Sequence, residues 1–226
     1  MRVRIKDTDP EAGISLAEVL VAMLVFGILL TVVGGVFVST NRNFAMTRSL
    51  DTNTKSASNG MNEMSRVLRA ATENPVRGQA LPDSAFRSVG AETLTVYAYI
   101  NLSSSAEQPI QVRFSVDTNR NLVEEIWPGV AQTGGYWTFP DPTSVAATTK
   151  RILASSVIPS SASVAPLFSY LGVSNTTLSN AASNLRSIAA VQVTLTTGTT
   201  AAGDTSNVTL QNTVGLPNLP LSRSAS

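Results

Sequence analysis

Residues 14–38, ISLAEVLVAMLVFGILLTVVGGVFV, form one apolar run in which Glu18 is the only ionisable side chain. No other feature constrains the fold as strongly. At about 1.5 Å of rise per residue, a helix over this run is longer than the roughly 30 Å hydrocarbon core of a bilayer, so it can span with some tilt. A carboxylate costs about 2–3 kcal/mol at the centre of a span and less near its ends. An ionisable side chain inside a span therefore points to a function and to a partner for the charge.

The leader that precedes the run, MRVRIKDTDPEAG, carries Arg2, Arg4 and Lys6, then Asp7, Asp9 and Glu11. Pro10 disfavours a helix continuing through it. Basic residues ahead of a span keep the N-terminus cytoplasmic, which puts the C-terminal part of the chain outside. A cleaved secretory signal has a shorter apolar core, about 7–15 residues, followed by a small-residue cut site. Ser39-Thr40-Asn41 is a poor site of that kind. An uncleaved signal anchor accounts for the length and the orientation but gives no reason for Glu18.

The chain contains neither cysteine nor histidine. Disulfides, Cys/His zinc sites, thiol nucleophiles and Ser-His-Asp triads are thereby excluded. Acid–base chemistry is left to carboxylates, Lys or Tyr, and the expectation is a protein that is not an enzyme, with no catalytic residue, no metal and no cofactor. A net charge of +1 across 226 residues gives no electrostatic footprint for nucleic acid. Charged residues make up only 14% of the chain, and a polar surface built from Ser, Thr, Asn and Gln suits an exported domain.

Beyond Val38 the sequence turns polar, with Phe44 and Leu50 continuing a weak apolar stripe. Met61, Met64, Leu68 and Ala71 follow helical spacing, and Asn74-Pro75 should end the helix. The expected helix runs from Ile14 to about Thr72, weakened at Gly34-Gly35 and around residues 58–60. After Pro75 the period changes to two. Residues 92–100, 110–116, 122–127, 192–197 and 207–214 read as strands of an antiparallel sheet with one solvated face. The Ser-, Thr-, Ala- and Gly-rich stretches 133–135, 141–149, 155–163 and 174–183 read as loops. The expected fold is α+β, with a long N-terminal helix packed on an antiparallel sheet. The expected segments are a leader (1–13), a transmembrane helix (14–40), its amphipathic continuation (41–74), an extracytoplasmic β-sheet domain (75–215) and an irregular tail (216–226).

The segment Gly13-Ile14-Ser15-Leu16-Ala17-Glu18 and the apolar residues after it resemble the prepilin signal of type IV pilins and type II secretion pseudopilins. The resemblance implies cleavage by a prepilin peptidase between Gly13 and Ile14, methylation of the new Ile14 amine, and retention of the helix on the mature protein. Glu18 then falls on the fifth mature position, where that family carries its glutamate. The family most often starts its mature chain with Phe or Met, whereas Ile14 stands here, and Glu11-Ala12 precede the glycine in place of basic residues.

Cleavage would create a cation on Ile14. In a bundle of helices, Glu18 of one subunit could pair with the amine of a neighbour, and a wrong axial register would strand both charges. In pilins a proline commonly sits in the stretch where Gly34 and Gly35 stand, and the helix there can unwind during assembly; the two glycines can serve the same flexibility or a close helix–helix approach. The order of one helix and then strands is most similar to minor pilins and minor pseudopilins of the PulJ/PilW type. The resemblance implies a filament subunit held in the cytoplasmic membrane by a single pass before assembly into a surface or periplasmic filament. Its partners would be the peptidase and other pilins. A membrane-anchored adhesive or DNA-uptake module of the same machinery is the alternative.

Three further patterns stand apart from the helix. Asp117, Asn119 and Asn121 have calcium-loop spacing, but Leu122 replaces the glycine and Pro128 the bidentate acid, so a hairpin turn is expected. Glu124 and Glu125 are neighbours and face opposite sides of a strand. Tyr136-Trp137 follows Gly134-Gly135, and core packing is the expectation for these aromatics over contact with a partner or sugar.

Overall fold

The computed structural model describes residues 14–100, 108–179, 181–198 and 207–219. Among the described residues a single α-helix, α1 (Leu16–Arg69), is followed by ten strands: β1 (Phe86–Val89), β2 (Thr93–Ala98), β3 (Ile110–Val116), β4 (Leu122–Pro128), β5 (Val130–Gln132), β6 (Tyr136–Thr138), β7 (Thr149–Ala154), β8 (Phe168–Leu171), β9 (Ala190–Thr197) and β10 (Val208–Gly215). The chain divides into two units, one ending at Arg48 and the other comprising Ser49–Ser226. In the first unit, the described residues are all helical from Leu16 on and all exposed.

The second unit is an α+β domain with three antiparallel sheets. The largest has the order β1-β2-β3-β4-β7, the second β10-β9-β8, and β5 pairs with β6. One face of the later part of α1 supplies Ala57, Met61, Met64 and Leu68 to the core, and Ala71, just past its end, continues the stripe. Their spacing of three and four residues places them on one stripe. Leu94, Val96, Val112 and Phe114 of the large sheet, and Val191, Val193 and Leu195 of the second, belong to the same buried cluster.

Gly60 lies on this packed face, and a Cβ there would sit 3.4 Å from Leu122 Cδ2 and 3.5 Å from Leu195 Cδ2. The residue lies against strands of both larger sheets, at a distance that leaves ordinary van der Waals room for a methyl group. The helix also ends at Arg69, short of Thr72. From Ala71 the backbone bonds to the sheet instead: Ala71 bridges Ala98, and the Thr72 N–H donates to the Tyr97 carbonyl at 3.0 Å. Asn218 Nδ2 donates to the exposed Arg69 carbonyl at 3.2 Å, satisfying a helix-terminal acceptor.

The large sheet departs from the expectation of one solvated face. Thr95, Tyr97, Gln111, Glu125 and Trp127 alternate with the core-facing residues of β2–β4, yet all are buried. Residues 139–145, within and beside a stretch read as loop, cover Tyr97, Gln111 and Trp127. Gln111 Nε2 donates to the Pro140 carbonyl (3.3 Å), Arg113 to that of Pro142 (3.2 Å) and Trp127 Nε1 to that of Val145 (3.0 Å). The Phe139 ring packs on Tyr97 with centroids 4.7 Å apart.

β1, β5, β6, β7 and β8 lie outside the expected strands. They are short or rich in polar residues, and their pairing with a neighbour, not their own alternation, makes them strands.

Candidate functional site: the start of the apolar helix

Gly13 and the rest of the leader lie outside the described residues, so the expected Gly13–Ile14 cleavage point is seen from its Ile14 side only. Ile14 is 77% exposed and precedes the helix. Ser15 caps α1: its Oγ accepts from the Ala17 N–H at 3.2 Å, and its carbonyl accepts the first helical bond, from Val19 N, at 3.2 Å. Glu18 reaches back, with Oε2 accepting from the Ser15 N–H at 3.0 Å. Ser15 and Glu18 thus form a capping box, in which the first and fourth residues of an S-x-x-E sequence satisfy donors that a helix start leaves open. A carboxylate in this first turn also meets the positive end of the helix dipole, a gain of about 0.3–1 kcal/mol. The S-x-x-E spacing was readable in the sequence, and the reading of Glu18 as half of an intermolecular pair alone missed it.

Past this turn the helix carries no charge until Arg42. Its one side-chain hydroxyl before Ser39, that of Thr31, donates to the Gly27 carbonyl at 2.9 Å, so it presents no unsatisfied donor to lipid. Leu20, Met23, Leu24, Phe26, Ile28, Val33 and Phe37 are all more than half exposed. An 18-residue window of α1 has a mean hydropathy of 2.8 and no buried residue, long and apolar enough to cross a membrane by length and composition. Gly34 and Gly35 lie within this stretch. A Cβ on either would meet nothing within 4 Å, so no contact among the described residues demands a glycine at either position.

The other sequence patterns fall elsewhere. Asp117–Asn121 closes the β3–β4 hairpin, as expected. Both Asp117 oxygens accept from Asn121, at 2.8 and 3.1 Å, and Arg120 takes a positive φ of 61°. Arg120 forms a two-pronged ion pair with Glu92, at 2.9 and 2.8 Å. Among the described residues no group of three or more Asp or Glu is placed to hold a metal ion.

Glu124 and Glu125 face opposite sides of β4. Glu125 meets Arg113 (2.8 Å) and Lys150 (3.4 Å) beneath the 139–145 cover. Glu124 turns toward α1, is fully buried, and accepts from Arg151 Nε through Oε2, while its Oε1 has no hydrogen-bond partner among the described residues. Arg151 also contacts Glu63 of α1 at 2.6 Å, and Arg66 holds Glu63 from one helical turn away, at 2.5 and 3.0 Å. Burial pushes the Glu124 pKa up, against the pull of Arg151. Burial also raises that of Glu63, but the hydrogen bond and charge of Arg66, joined by contacts with Glu124 and Arg151, bring it below the ordinary value. This cluster joins α1, β4 and β7 inside the domain. Sequence reasoning did not find it, because Glu63, Glu124 and Arg151 are brought together only by folding.

Residues 9–34 match the family model described as the prokaryotic N-terminal methylation motif. No curated protein and no solved structure matches the chain.

Proposed function

We propose that this chain, whose N-terminal motif is that of the type IV pilin and pseudopilin superfamily, is a minor pilin or minor pseudopilin: a structural subunit of a pilus or a secretion filament. The observation that carries the reading is the match at residues 9–34, which spans Gly13, the capped helix start and the exposed apolar stretch. A prepilin peptidase cuts between Gly13 and Ile14, and the Ile14 amine is methylated. Before assembly the protein sits in the cytoplasmic membrane by one pass, with residues 75–215 outside.

In the filament, Glu18 accepts the Ile14 amine of a neighbouring subunit. The capping box supports this role. Ser15 occupies one Glu18 oxygen and holds the side chain at the helix start, which limits the conformational freedom lost when the second oxygen meets an amine. The pair sets axial register more than it adds stability, because a mismatch leaves two charges unpaired in apolar surroundings. Gly34 and Gly35 let the helix bend or locally unwind during extraction from the bilayer.

The experiment is N-terminal sequencing and mass spectrometry of the mature protein. A start at Ile14 carrying one methyl group is expected. A start at Met1, or beyond Val38, overturns the proposal. Glu18→Ala should leave membrane insertion intact and remove the protein from filaments; normal incorporation of that variant would refute the register role.

A further inference from the structure

A cavity of about 470 Å³ opens between the segment after α1, β1, the end of β2 and the β5–β6 hairpin. This lies within the range of about 300–1,000 Å³ usual for small-molecule sites. One wall is aromatic: Tyr97 and Phe139, with rings tilted by 35°, and the half-buried Trp137. The polar lining is Asn74, Asp83 and Arg87, with Ser84 and Thr138, whose hydroxyls bond to Phe86 N and Gln132.

Asn74, Asp83 and Arg87 are each held in place and keep unused capacity. Asn74 is 6% exposed and its Nδ2 donates to the Trp137 carbonyl at 3.3 Å, while its side-chain oxygen accepts no hydrogen bond among the described residues. The Asp83 backbone is clamped to that of Asn74 at 3.1 and 2.8 Å, and its carboxylate has no hydrogen-bond or ion-pair partner among the described residues. One arm of Arg87 is fixed, with NH1 donating to Gln111 Oε1 (2.8 Å) and the Pro140 carbonyl (3.2 Å). The guanidinium also hydrogen-bonds the Tyr97 hydroxyl, and its remaining N–H groups are donors.

These observations narrow the ligand. Asp83 and Arg87 cancel in charge, so neither an anion nor a cation is favoured. Acceptors (Asp83, Asn74) and a donor (Arg87) stand together, so the ligand must both donate and accept at neighbouring positions, as adjacent hydroxyls do. The aromatic wall requires an apolar face on the same molecule. A pyranose ring combines the two, with hydroxyls around its edge and C–H groups on its face. We propose that this cavity binds a neutral saccharide, one ring of a short oligosaccharide seated against Trp137 and Phe139 with its hydroxyls on Asp83, Asn74 and Arg87. The site lies wholly within the second unit and does not depend on the filament role.

The test is saturation-transfer NMR on the full chain in a detergent without a sugar head group, with maltose, cellobiose, lactose and chitobiose as probes at about 1 mM, a concentration suited to weak binding. Transfer to at least one disaccharide is expected. Trp137→Ala should weaken it about tenfold or more, as loss of an aromatic anchor does. Asp83→Asn, which keeps the shape of the wall, should weaken it at an unchanged melting temperature, and Tyr136→Ala, one residue away on the opposite side of β6, should leave it intact. Absence of transfer to all four probes, equal transfer in the Trp137 and Asp83 variants, or tighter binding of a sialylated probe would overturn the proposal. So would displacement of the sugars by a blocked neutral tripeptide at lower concentration, which would assign the cavity to peptide.

Discussion

Replacing Arg151 with Met removes the cation that Glu124 and Glu63 share and keeps most of the side-chain volume. Breaking a fully buried pair in this way costs about 3–5 kcal/mol. The Arg151 side chain is 48% exposed, so solvent already screens part of the interaction and the expected loss falls to about 2–3 kcal/mol at pH 7. Glu124 limits the damage by taking up a proton. Its pKa already stands above the ordinary value through burial, and losing Arg151 raises it further. Neutralising it costs about 1.4 kcal/mol for each unit by which the pH exceeds that pKa, so the penalty of Arg151→Met should shrink by at most about that much per unit between pH 7 and pH 5. Glu124→Gln removes the charge, leaves Arg151 on Glu63, and should be near neutral at pH 7. The double variant should recover most of the loss. Urea unfolding of the full chain in non-ionic detergent, followed through the buried Trp127, measures all three. A loss below about 0.5 kcal/mol for Arg151→Met, typical of an exposed pair, would refute the reasoning. So would a loss that does not change with pH, or one that Glu124→Gln fails to relieve.

The same cluster fixes a pH profile. The lowered Glu63 pKa contributes stability above its ordinary value of 4.5, which is lost as pH falls through the folded value; the raised Glu124 pKa contributes stability in acid, lost as pH rises through its folded value. Urea titrations should show an optimum in weak acid, with the alkaline-side loss flattened in Glu124→Gln. Gly60→Ala should raise stability by about 1 kcal/mol through helix propensity, since its methyl finds contacts no closer than 3.4 Å, whereas Gly60→Leu should lower it by about 1–3 kcal/mol through overpacking. A melting temperature that falls in the alanine variant would contradict the packing described. Ser15→Ala should cost the helix start about 1 kcal/mol, read as faster amide exchange at Ala17 in micelles with unchanged spectra for the β-sheet domain.

The N-terminal segment was legible because its determinants are contiguous. An apolar run, one carboxylate three residues after a serine, and a glycine before them are local facts, and helix geometry converts them into a capped span without help from the rest of the chain. The Met61, Met64, Leu68 and Ala71 stripe and the strands β2, β3, β4, β9 and β10 were legible for a similar reason, since periodicity reports which face is buried. Periodicity fails where both faces are covered. Tyr97, Gln111 and Trp127 alternate like solvent-facing residues, and only the chain crossing at 139–145 buries them.

The sequence by itself therefore determined a membrane-length helix with a capped, acidic first turn and a strand-rich domain after it, because those depend on neighbours within one or two turns. Tertiary structure alone decided the seat of Gly60 against both larger sheets, the meeting of Glu63 with Glu124 and Arg151, and the cavity shared by Asn74, Asp83, Arg87 and Trp137. Each of these brings together residues far apart in the chain, and the register of strand pairing, which fixes such meetings, is set by packing of the whole domain and not by any one segment.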